Sequence, residues 1–270
     1  MTHRPQAQDL RDAMYGEVNL GSFSLFSGDF INYGYWRGLG DGAEISVDER
    51  TKSQAELYRQ VVSRLDVAAD DRLLEIGCGI GAGAALVLRE FAPAEVRGLD
   101  LSAEQLRRAE RANAELLRQR SGRLSFHRGS ATELPWTGAS FDGVYSVEAL
   151  QHVDDLAAMA REAHRVLRGG GRLAAATFFA PGEVVDAGLA ELLETVDNGV
   201  DVVRPVGEFA AALTGAGFGD VTVTAIGEHV WDGLDRWIAQ TEYRDTWGRN
   251  WIDGYRRGWV DYYVLTARKR

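Results

Sequence analysis

The stretch that decides the fold is Leu73-Leu74-Glu75-Ile76-Gly77-Cys78-Gly79-Ile80-Gly81, an apolar strand that passes through an acidic residue into a glycine-rich turn. A helix of small residues follows, and the next apolar run ends at Asp100, nineteen positions after Gly81. Glycines let a nucleotide-like ligand contact the backbone, and an acid that ends the second strand can accept hydrogen bonds from ribose hydroxyls. The pattern predicts a site for a nucleotide-type cofactor.

Composition limits both the class of protein and its partners. The chain has 270 residues, 45% of them hydrophobic, which suits one sizeable α/β domain with a small cap. Its formal net charge of -10 disfavours a nucleic-acid partner, because phosphate binding needs clustered Lys and Arg. Its one cysteine, Cys78, excludes an intrachain disulfide and a multi-cysteine zinc site. No apolar run could span a bilayer and no signal-peptide core is present, so we expect a cytoplasmic protein.

Strands and helices alternate through most of the chain with short links. The pattern predicts strands at 72–76, 95–100, 124–128, 141–147, 172–179, 221–226 and 261–267. It predicts helices at 51–65, 82–91, 154–167 and 206–215, and one more that begins with Ser102 as N-cap and Gln105 completing a capping box. Gly169-Gly170-Gly171 are expected to end the helix at 154–167. This alternation predicts a mostly parallel sheet covered on both faces.

The chain divides into four segments. Residues 1–50, rich in aromatic residues and glycine, are expected to form an N-terminal helical arm, and 51–180 to form the cofactor-binding core. Residues 181–205 are expected to be a helical cap insertion, and 206–270 to complete the core around a helical insertion at 229–259. That insertion carries Trp231, Trp237, Trp247 and Trp251. The arm and the insertions are expected to cover the carboxyl ends of the strands, where open α/β sheets bind ligands.

Further stretches resemble a known family. These are Gly98-Leu99-Asp100-Leu101-Ser102, the segment 129–136, the segment 141–153 and the segment 165–171. With Glu75 before the glycine loop and Gly77-Cys78-Gly79 within it, they resemble, in order, the motifs of class I S-adenosylmethionine-dependent methyltransferases. The resemblance implies a Rossmann-like α/β fold with a seven-stranded sheet. It also implies S-adenosylmethionine as cofactor and S-adenosylhomocysteine as product. No metal is expected, because the Asp/Asn cluster by which some catechol methyltransferases bind magnesium does not occur in the sequence.

The resemblance also implies cofactor-binding residues. Asp100 is expected on the ribose and the segment 129–136 along the adenine, with Ser130 where relatives commonly carry an aspartate. The cofactor residues expected on this basis are Tyr15, Tyr33, Trp36, Glu75, Gly77, Cys78, Gly79, Gly81, Asp100, Leu101, Gln105, Ser130, Ala131, Thr132, Val147 and Glu148.

The N-terminal Tyr15-Gly16 and the segment 31–36 resemble a narrower branch, the small-molecule methyltransferases of natural-product pathways, such as macrolide sugar O-methyltransferases. In that branch an N-terminal tyrosine closes over the methionine end of the cofactor. In O-methyltransferase relatives a histidine just after the fourth strand acts as base, which points to His152. The alternative for His152 is a loop histidine that bonds the cofactor or caps the next helix.

The leading hypothesis is methyl transfer to a hydroxyl of a small natural product, with His152 as general base, because histidine titrates near neutral pH. The acceptor is expected to be apolar, aromatic or glycosylated. The alternatives are a C-methyltransferase acting on a prenyl, quinone or aromatic carbon, and a methyltransferase fold adapted to another reaction. A nicotinamide oxidoreductase is disfavoured because no Tyr-x-x-x-Lys occurs. The sequence leaves open whether the protein forms a homo-oligomer.

Overall fold

A computed structural model of the protein describes residues 7–18 and 23–270. Within them, seven strands form a single sheet: β1 Arg72–Ile76, β2 Glu95–Asp100, β3 Leu124–Arg128, β4 Phe141–Val147, β5 Leu167–Phe179, β6 Phe218–Ala225 and β7 Asp261–Lys269. Their order across the sheet is β3-β2-β1-β4-β5-β7-β6. Strand β7 runs antiparallel to both of its neighbours, and the other neighbouring strands are parallel. The predicted Rossmann-like, mostly parallel sheet is confirmed.

The helices of the described residues are distributed along the whole chain. They are α1 Ala7–Asp12, which continues as a π-helical turn Ala13–Glu17, α2 Val47–Val62, α3 Ala82–Glu90, α4 Ala103–Ala112, α5 Ala114–Gln119, α6 Leu156–Val166, α7 Asp186–Leu192, α8 Glu194–Asp197, α9 Val206–Gly215, α10 Trp231–Ala239 and α11 Trp251–Arg256. Helices α7 and α8 fall in the segment 181–205, and α10 and α11 fall in the segment 229–259.

Both faces of the sheet are covered. Because successive residues of a strand point to opposite faces, neighbouring residues of β1 pack into different buried clusters. Leu73 packs in one buried cluster with Leu57 of α2, and the adjacent Leu74 packs in a second cluster with Met159 of α6. All four side chains are at most 1% exposed. A strand buried on both faces must be apolar at successive positions, which explains the continuous apolar runs in the sequence.

The prediction that Gly169-Gly170-Gly171 end the helix after β4 is wrong. Helix α6 begins at Leu156, with Asp155 as its N-cap, and it ends at Val166, before the glycines. Residues 169–171 lie inside β5, where the register between β4 and β5 shifts and Gly170 takes a positive φ of 81°. The glycines therefore form an irregularity in an exposed part of the strand rather than a helix terminus.

Ser102 is the N-cap of α4, as predicted, but the capping boxes of α4 and α2 differ from expectation. Ser102 accepts a hydrogen bond from the backbone N–H of Gln105, but the side-chain oxygen Oε1 of Gln105 is buried without a partner, so the predicted reciprocal capping box is only half formed. A complete capping box stands instead at Ser46 and Glu49, and it starts α2 four residues before the predicted position.

Residues 23–46 contain no helix or strand, so regular helix in the described part of the arm is limited to Ala7–Glu17. The segment 23–46 is held by the buried guanidinium of Arg50 on α2. This group donates hydrogen bonds to the backbone carbonyls of Leu25, Asn32 and Tyr33 at 3.2, 2.7 and 3.0 Å. Burial lowers the pKa of Arg50 to about 9. Gln54 of α2 also bonds the segment, at Ser27, Phe30 and Asn32, so side chains of α2 hold a segment that lacks secondary structure of its own.

Candidate active site

The carboxyl ends of β1, β2 and β4 open into a cavity of about 830 Å³. The arm, the cap and the tryptophan-rich insertion supply the rest of its lining. This volume lies within the usual range for small-molecule sites, and the position is where parallel sheets bind ligands. The predicted residues that line it are Tyr15, Tyr33, Gly77, Cys78, Gly79, Asp100, Leu101, Gln105, Ser130, Ala131, Thr132, Val147, Glu148 and His152.

The glycine turn after β1 combines tight packing with open backbone. The amides of Gly77 and Cys78 donate to the carbonyl of Leu99 at 2.8 and 3.0 Å, which ties the turn to β2. Gly77 has φ +77°, and a Cβ there would lie 2.2 Å from the Cβ of Ala149. Gly79 has φ +51°, lines the cavity, and would place a Cβ in open space. A ligand can therefore contact the backbone at Gly79.

Asp100 is held in a fixed orientation at the end of β2. Its two carboxylate oxygens accept hydrogen bonds from the amides of Gly79 and Ser102, each at 2.9 Å. Burial raises the pKa of Asp100, while these backbone donors act in the opposite direction. Each carboxylate oxygen can accept more than one hydrogen bond, so Asp100 keeps capacity for hydroxyl groups of a ligand.

Helix α4, which follows Asp100 in the chain, brings an acceptor without a hydrogen-bond partner to the cavity. Oε1 of Gln105 is buried and has no hydrogen-bond partner among the described residues. The hydroxyls of Ser130 and Thr132 bond each other at 2.8 Å, so the serine that replaces the family aspartate is already engaged. Leu101 leaves 52% of its surface exposed at the cavity. These features suit a flat group that carries hydrogen-bond donors.

Glu148, the residue after β4, links three parts of the chain. Its Oε1 accepts hydrogen bonds from the amide of Tyr33 at 2.6 Å and from the hydroxyl of Tyr262 at 2.7 Å. Its own amide donates to the carbonyl of Ala176, and its φ is +49°. Burial raises the pKa of Glu148 to about 8. The arm is thereby joined to the centre of the sheet at the cavity wall.

Three of the expected cofactor residues do not reach the cavity. Glu75 lies beneath the glycine turn and accepts hydrogen bonds from Tyr58 and Tyr145 at 2.9 and 3.2 Å, and burial raises the pKa of Glu75 to about 8. Gly81 begins α3 with φ +76°. Trp36 donates its indole N–H to the carbonyl of Tyr33 and packs in a separate cluster of buried side chains. These three positions support the site from outside.

His152 lies on the 3-10 turn Leu150–His152, directly after β4. Its Nδ1 is 2.9 Å from the carbonyl oxygen of Val200, and because a carbonyl can only accept, Nδ1 carries the proton. Nε2 is therefore the acceptor, and it takes a hydrogen bond from the hydroxyl of Tyr15 at 2.8 Å. The imidazole thus presents a basic nitrogen toward the cavity.

Two arginines hold the arm helix Ala7–Glu17 over the cavity. Arg11, 8% exposed, donates to the carbonyls of His152, Gly199 and Val200. Arg108 of α4 donates to the carbonyls of Tyr15, Gly16 and Val18 at 3.2, 2.8 and 3.1 Å. Arg11 was not among the predicted site residues, because these contacts join positions more than a hundred residues apart.

The remaining wall of the cavity is largely apolar. Of the four tryptophans in the insertion, Trp247 and Trp251 line the cavity, whereas Trp231 and Trp237 are buried in packing. Other apolar side chains on this wall are Phe23, Leu25, Phe26, Leu234, Ile238 and Tyr243.

Within residues 7–18 and 23–270, no group of three or more His, Cys, Asp or Glu side chains is arranged to hold a metal ion. No described helix is both long enough and apolar enough to cross a membrane.

Comparisons with known proteins identify the class. A methyltransferase domain model matches residues 74–175. The chain is 34% identical over 212 residues to methyltransferase GfsG of Streptomyces halstedii, covering 74% of this chain and 73% of that protein. It is 31% identical over 228 residues to erythromycin 3''-O-methyltransferase of Saccharopolyspora erythraea, covering 80% and 70%. The crystal structure of geranyl diphosphate C-methyltransferase from Streptomyces coelicolor A3(2) matches with a TM-score of 0.82 at 20% identity, covering 100% of both chains.

The fold, the glycine turn and these relatives define the class: the chain belongs to the class I S-adenosylmethionine-dependent methyltransferases. It is an enzyme that uses S-adenosylmethionine as methyl donor, as the sequence predicted. The structural match at 20% identity supports the fold alone.

Proposed function

We propose that this enzyme transfers the methyl group to a hydroxyl oxygen of a small natural product, with His152 as general base. The observation that carries the proposal is the position of His152 Nε2, an acceptor nitrogen on the same cavity wall as Asp100 and Gly79. A hydroxyl is a weak nucleophile until its proton is removed, so a base at this place suits O-methylation. The relative from Saccharopolyspora erythraea is itself named an O-methyltransferase.

We assign the cofactor to the part of the cavity between the glycine turn and α4. Asp100 would hold the ribose hydroxyls, and the open backbone of Gly79 would allow close approach. Gln105 Oε1, which lacks a partner, would accept a hydrogen bond from the adenine or ribose end, beside Ser130 and Thr132. When bound, S-adenosylmethionine supplies a methyl group on a sulfonium that leaves as a neutral thioether. The protein's own contribution is position, water exclusion and proton transfer.

The proton of the acceptor hydroxyl has a defined route. Tyr15 donates to His152 Nε2, so an acceptor hydroxyl that donates to the Tyr15 oxygen can pass its proton through Tyr15 to Nε2 in one relay. Burial, followed by the nearby carboxylates, raises the pKa of Tyr15 well above 10, so the phenol stays neutral before and after the relay. Nδ1 keeps its proton on the carbonyl of Val200, which leaves Nε2 to take the new one.

The acceptor is assigned to the apolar wall formed by the arm and by the insertion at 229–259. Burying an apolar or aromatic body there offers about 25 cal/mol per Å² of covered apolar surface. Trp247 and Trp251 present aromatic rings at this wall, which suits an aromatic or glycosylated acceptor.

Calorimetric titration tests the cofactor first, with S-adenosylhomocysteine, S-adenosylmethionine and NAD in parallel. We expect binding of the first two and none of NAD. Transfer of a ¹³C-labelled methyl group to hydroxylated natural products then distinguishes oxygen from carbon methylation by the chemical shift of the product. A product labelled only on carbon would establish the alternative.

The role of His152 is tested by His152→Ala. We expect turnover to fall about a hundredfold or more, the usual share of general base catalysis, with little change in affinity for S-adenosylhomocysteine. The matched control is His229→Ala, because His229 packs against Tyr35 and does not line the cavity. Unchanged turnover in His152→Ala would remove the base from the proposal.

A further inference from the structure

Charged groups in the described cavity lining are mainly acidic. The single arginine among them is Arg11, and its donors are taken by the backbone carbonyls of His152, Gly199 and Val200 and by the carboxylate of Asp154. No described lysine lines the cavity. The acidic side chains of the lining are Asp29, Asp100, Glu148, Asp154, Asp155 and Asp201. An anionic group on the acceptor would find no free cation in this lining.

Most of these carboxylates already have partners or lie in solvent. Asp100 and Glu148 accept hydrogen bonds from backbone amides, as described above, and Asp155 accepts one from the amide of Ala158 as the N-cap of α6. Asp154 pairs with Arg11 and is 81% exposed, and Asp29 is exposed. Only Asp201 combines a side chain that is 9% exposed with a carboxylate that accepts no hydrogen bond among the described residues.

Asp201 stands beside the reacting centre. Its side chain is 9% exposed, it lines the cavity, and its Oδ1 lies 3.7 Å from Nδ1 of His152. That contact is not a hydrogen bond, because the Nδ1 proton is already donated to the carbonyl of Val200. Thr195, whose carbonyl accepts from the amide of Asp201, also lines the cavity, and its buried hydroxyl has no partner among the described residues. Two polar groups of the cap, the Asp201 carboxylate and the buried Thr195 hydroxyl, thus line the cavity without a hydrogen-bond partner among the described residues.

A carboxylate that is largely shielded from water and accepts no hydrogen bond from the protein is stabilised by a donor that arrives with a ligand. We propose that Asp201 binds a hydrogen-bond donor of the acceptor, a second hydroxyl or an ammonium group, next to the hydroxyl that is methylated. This inference rests on the proposed function, because it takes His152 as the base at the reacting hydroxyl. It defines the acceptor class as polyols and amino alcohols, neutral or cationic, and excludes acceptors with a phosphate or carboxylate near the reacting group.

The expected selectivity is large. A hydrogen bond to a charged partner contributes enough for about a tenfold to a hundredfold preference, and a site built for a donor rejects analogues that lack it. An ammonium group gains the attraction of opposite charges in addition, while a carboxylate placed against Asp201 is repelled. The order of affinity should therefore be amino alcohol, diol, simple alcohol and, last, hydroxy acid.

Four matched probes test this order by calorimetry on the protein saturated with S-adenosylhomocysteine. They are trans-2-aminocyclohexanol, trans-1,2-cyclohexanediol, cyclohexanol and trans-2-hydroxycyclohexanecarboxylate, which share one ring and one hydroxyl. We expect the amino alcohol to bind at least about tenfold more tightly than cyclohexanol and the hydroxy acid to bind most weakly. Equal affinities for the four, or no binding of any, would overturn the proposal.

The variant Asp201→Asn keeps the shape of the side chain and removes its charge. We expect the preference for the amino alcohol over cyclohexanol to fall about tenfold, with cyclohexanol affinity unchanged. The matched control is Asp186→Asn, an exposed residue of α7 in the same cap that does not line the cavity. Thermal denaturation and S-adenosylhomocysteine affinity report whether each variant is folded.

Measurements of turnover show whether Asp201 acts on His152 instead of the acceptor, and whether the proposed O-methylation fails independently of this inference. If Asp201→Asn lowers kcat equally for all acceptors and leaves the probe affinities unchanged, Asp201 acts on His152 and the acceptor-binding role is wrong. If the wild-type protein binds the probes in the expected order yet transfers no methyl group to oxygen, the proposed function fails while the assignment of Asp201 stands.

Discussion

The hydroxyl of Tyr15 lies 2.8 Å from Nε2 of His152 and donates to it. The two residues are 137 positions apart in the chain, one in the arm helix and one in the turn after β4. The arm therefore does more than cover the cavity: it occupies the nitrogen that the proposed base uses. Any acceptor hydroxyl must reach Nε2 either through Tyr15 or by displacing it.

Replacement of Tyr15 by Phe separates these routes. We expect Tyr15→Phe to lower kcat about tenfold or more, because the relay loses its central hydroxyl while the ring still packs. Affinity for S-adenosylhomocysteine should change little. Steady-state kinetics with the identified acceptor measures this. An unchanged kcat with a lower KM would show instead that Tyr15 merely blocks Nε2 and is displaced by the acceptor.

Substitution of Gly79 tests whether the cofactor contacts the backbone at this position, because its effect on ligand affinity can be separated from the cost of the positive φ. A Cβ at Gly79 meets nothing within 4 Å in the protein, but it would project into the cavity at the place assigned to the cofactor. We expect Gly79→Ala to lose S-adenosylhomocysteine affinity by tenfold or more, with a loss of stability of about 1 kcal/mol from the positive φ. Titration calorimetry and thermal denaturation give the two quantities.

The matched control is Gly122→Ala. Gly122 has φ +79° and open space for a Cβ, but it does not line the cavity. It should show the same small loss of stability and full affinity for S-adenosylhomocysteine. If both variants keep that affinity, the cofactor does not approach the backbone at Gly79.

The core of this fold could be predicted from sequence because its signals are local. The bounds of β1, β2, β3 and β4 agree with the prediction at every residue. β1 and β4 are buried at successive positions on both faces, whereas β2 and β3 interleave apolar with polar residues, and both patterns are typical of strands. Most of the predicted cofactor residues that line the cavity follow strand ends, whose position in a parallel sheet is fixed by topology. Tyr15 and Tyr33 of the arm and Gln105 of α4 do not.

The parts that the sequence could not place depend on contacts between distant segments. Asp201 is an ordinary acid of the cap by its sequence, and its position near His152 depends on how residues 199–201 pack below Arg11. Trp36 belongs to the same aromatic stretch as Tyr33, yet Tyr33 faces the cavity and Trp36 faces Trp237 and Ile45. No local periodicity distinguishes the two, because residues 23–46 form neither helix nor strand.

Glu75 and Glu148 make stability depend on pH. Burial raises the pKa of each to about 8 in the folded protein, above the ordinary value of 4.5. Between these values the folded state holds a proton that the unfolded state has released, so the stability that each group contributes is complete below about pH 4.5 and is lost as the pH rises toward 8. The slope is about 1.4 kcal/mol per pH unit for each group.

We expect Glu75→Gln to reduce this fall by about half, because glutamine carries no titrating proton. Tyr58 and Tyr145 donate to different oxygens of Glu75, so the one amide oxygen can replace only one of these two acceptors. Urea denaturation at pH 5, 6, 7 and 8 measures the slope. The control is Glu115→Gln, an exposed residue of α5. An identical slope in Glu75→Gln and the wild type would show that Glu75 does not hold a proton in this range.

Arg108 anchors the C-terminal end of the arm helix and offers a direct test of arm closure. Its side chain is 16% exposed, and its guanidinium donates to three backbone carbonyls at residues 15, 16 and 18. Arg108→Ala removes these donors, and hydrogen bonds from a charged group contribute about 1.5–3 kcal/mol each where water cannot replace them. We expect kcat/KM to fall about tenfold, because Tyr15 is no longer held on His152. The midpoint temperature of thermal denaturation should change little, since the arm helix Ala7–Glu17 lies outside the two buried clusters on the faces of the sheet.

Arg107→Ala is the matched control, on the adjacent position of the same helix. Arg107 is 59% exposed and pairs with Glu104 without touching the arm, so its loss should leave kinetics and protease sensitivity unchanged.

Limited proteolysis supplies the structural readout, because a released arm exposes the backbone of residues 7–18 to cleavage. Faster cleavage there in Arg108→Ala, with wild-type kcat/KM, would mean that methyl transfer does not require the closed arm. Slow cleavage with reduced kcat/KM would assign Arg108 a role in the cavity that its contacts with the arm do not explain.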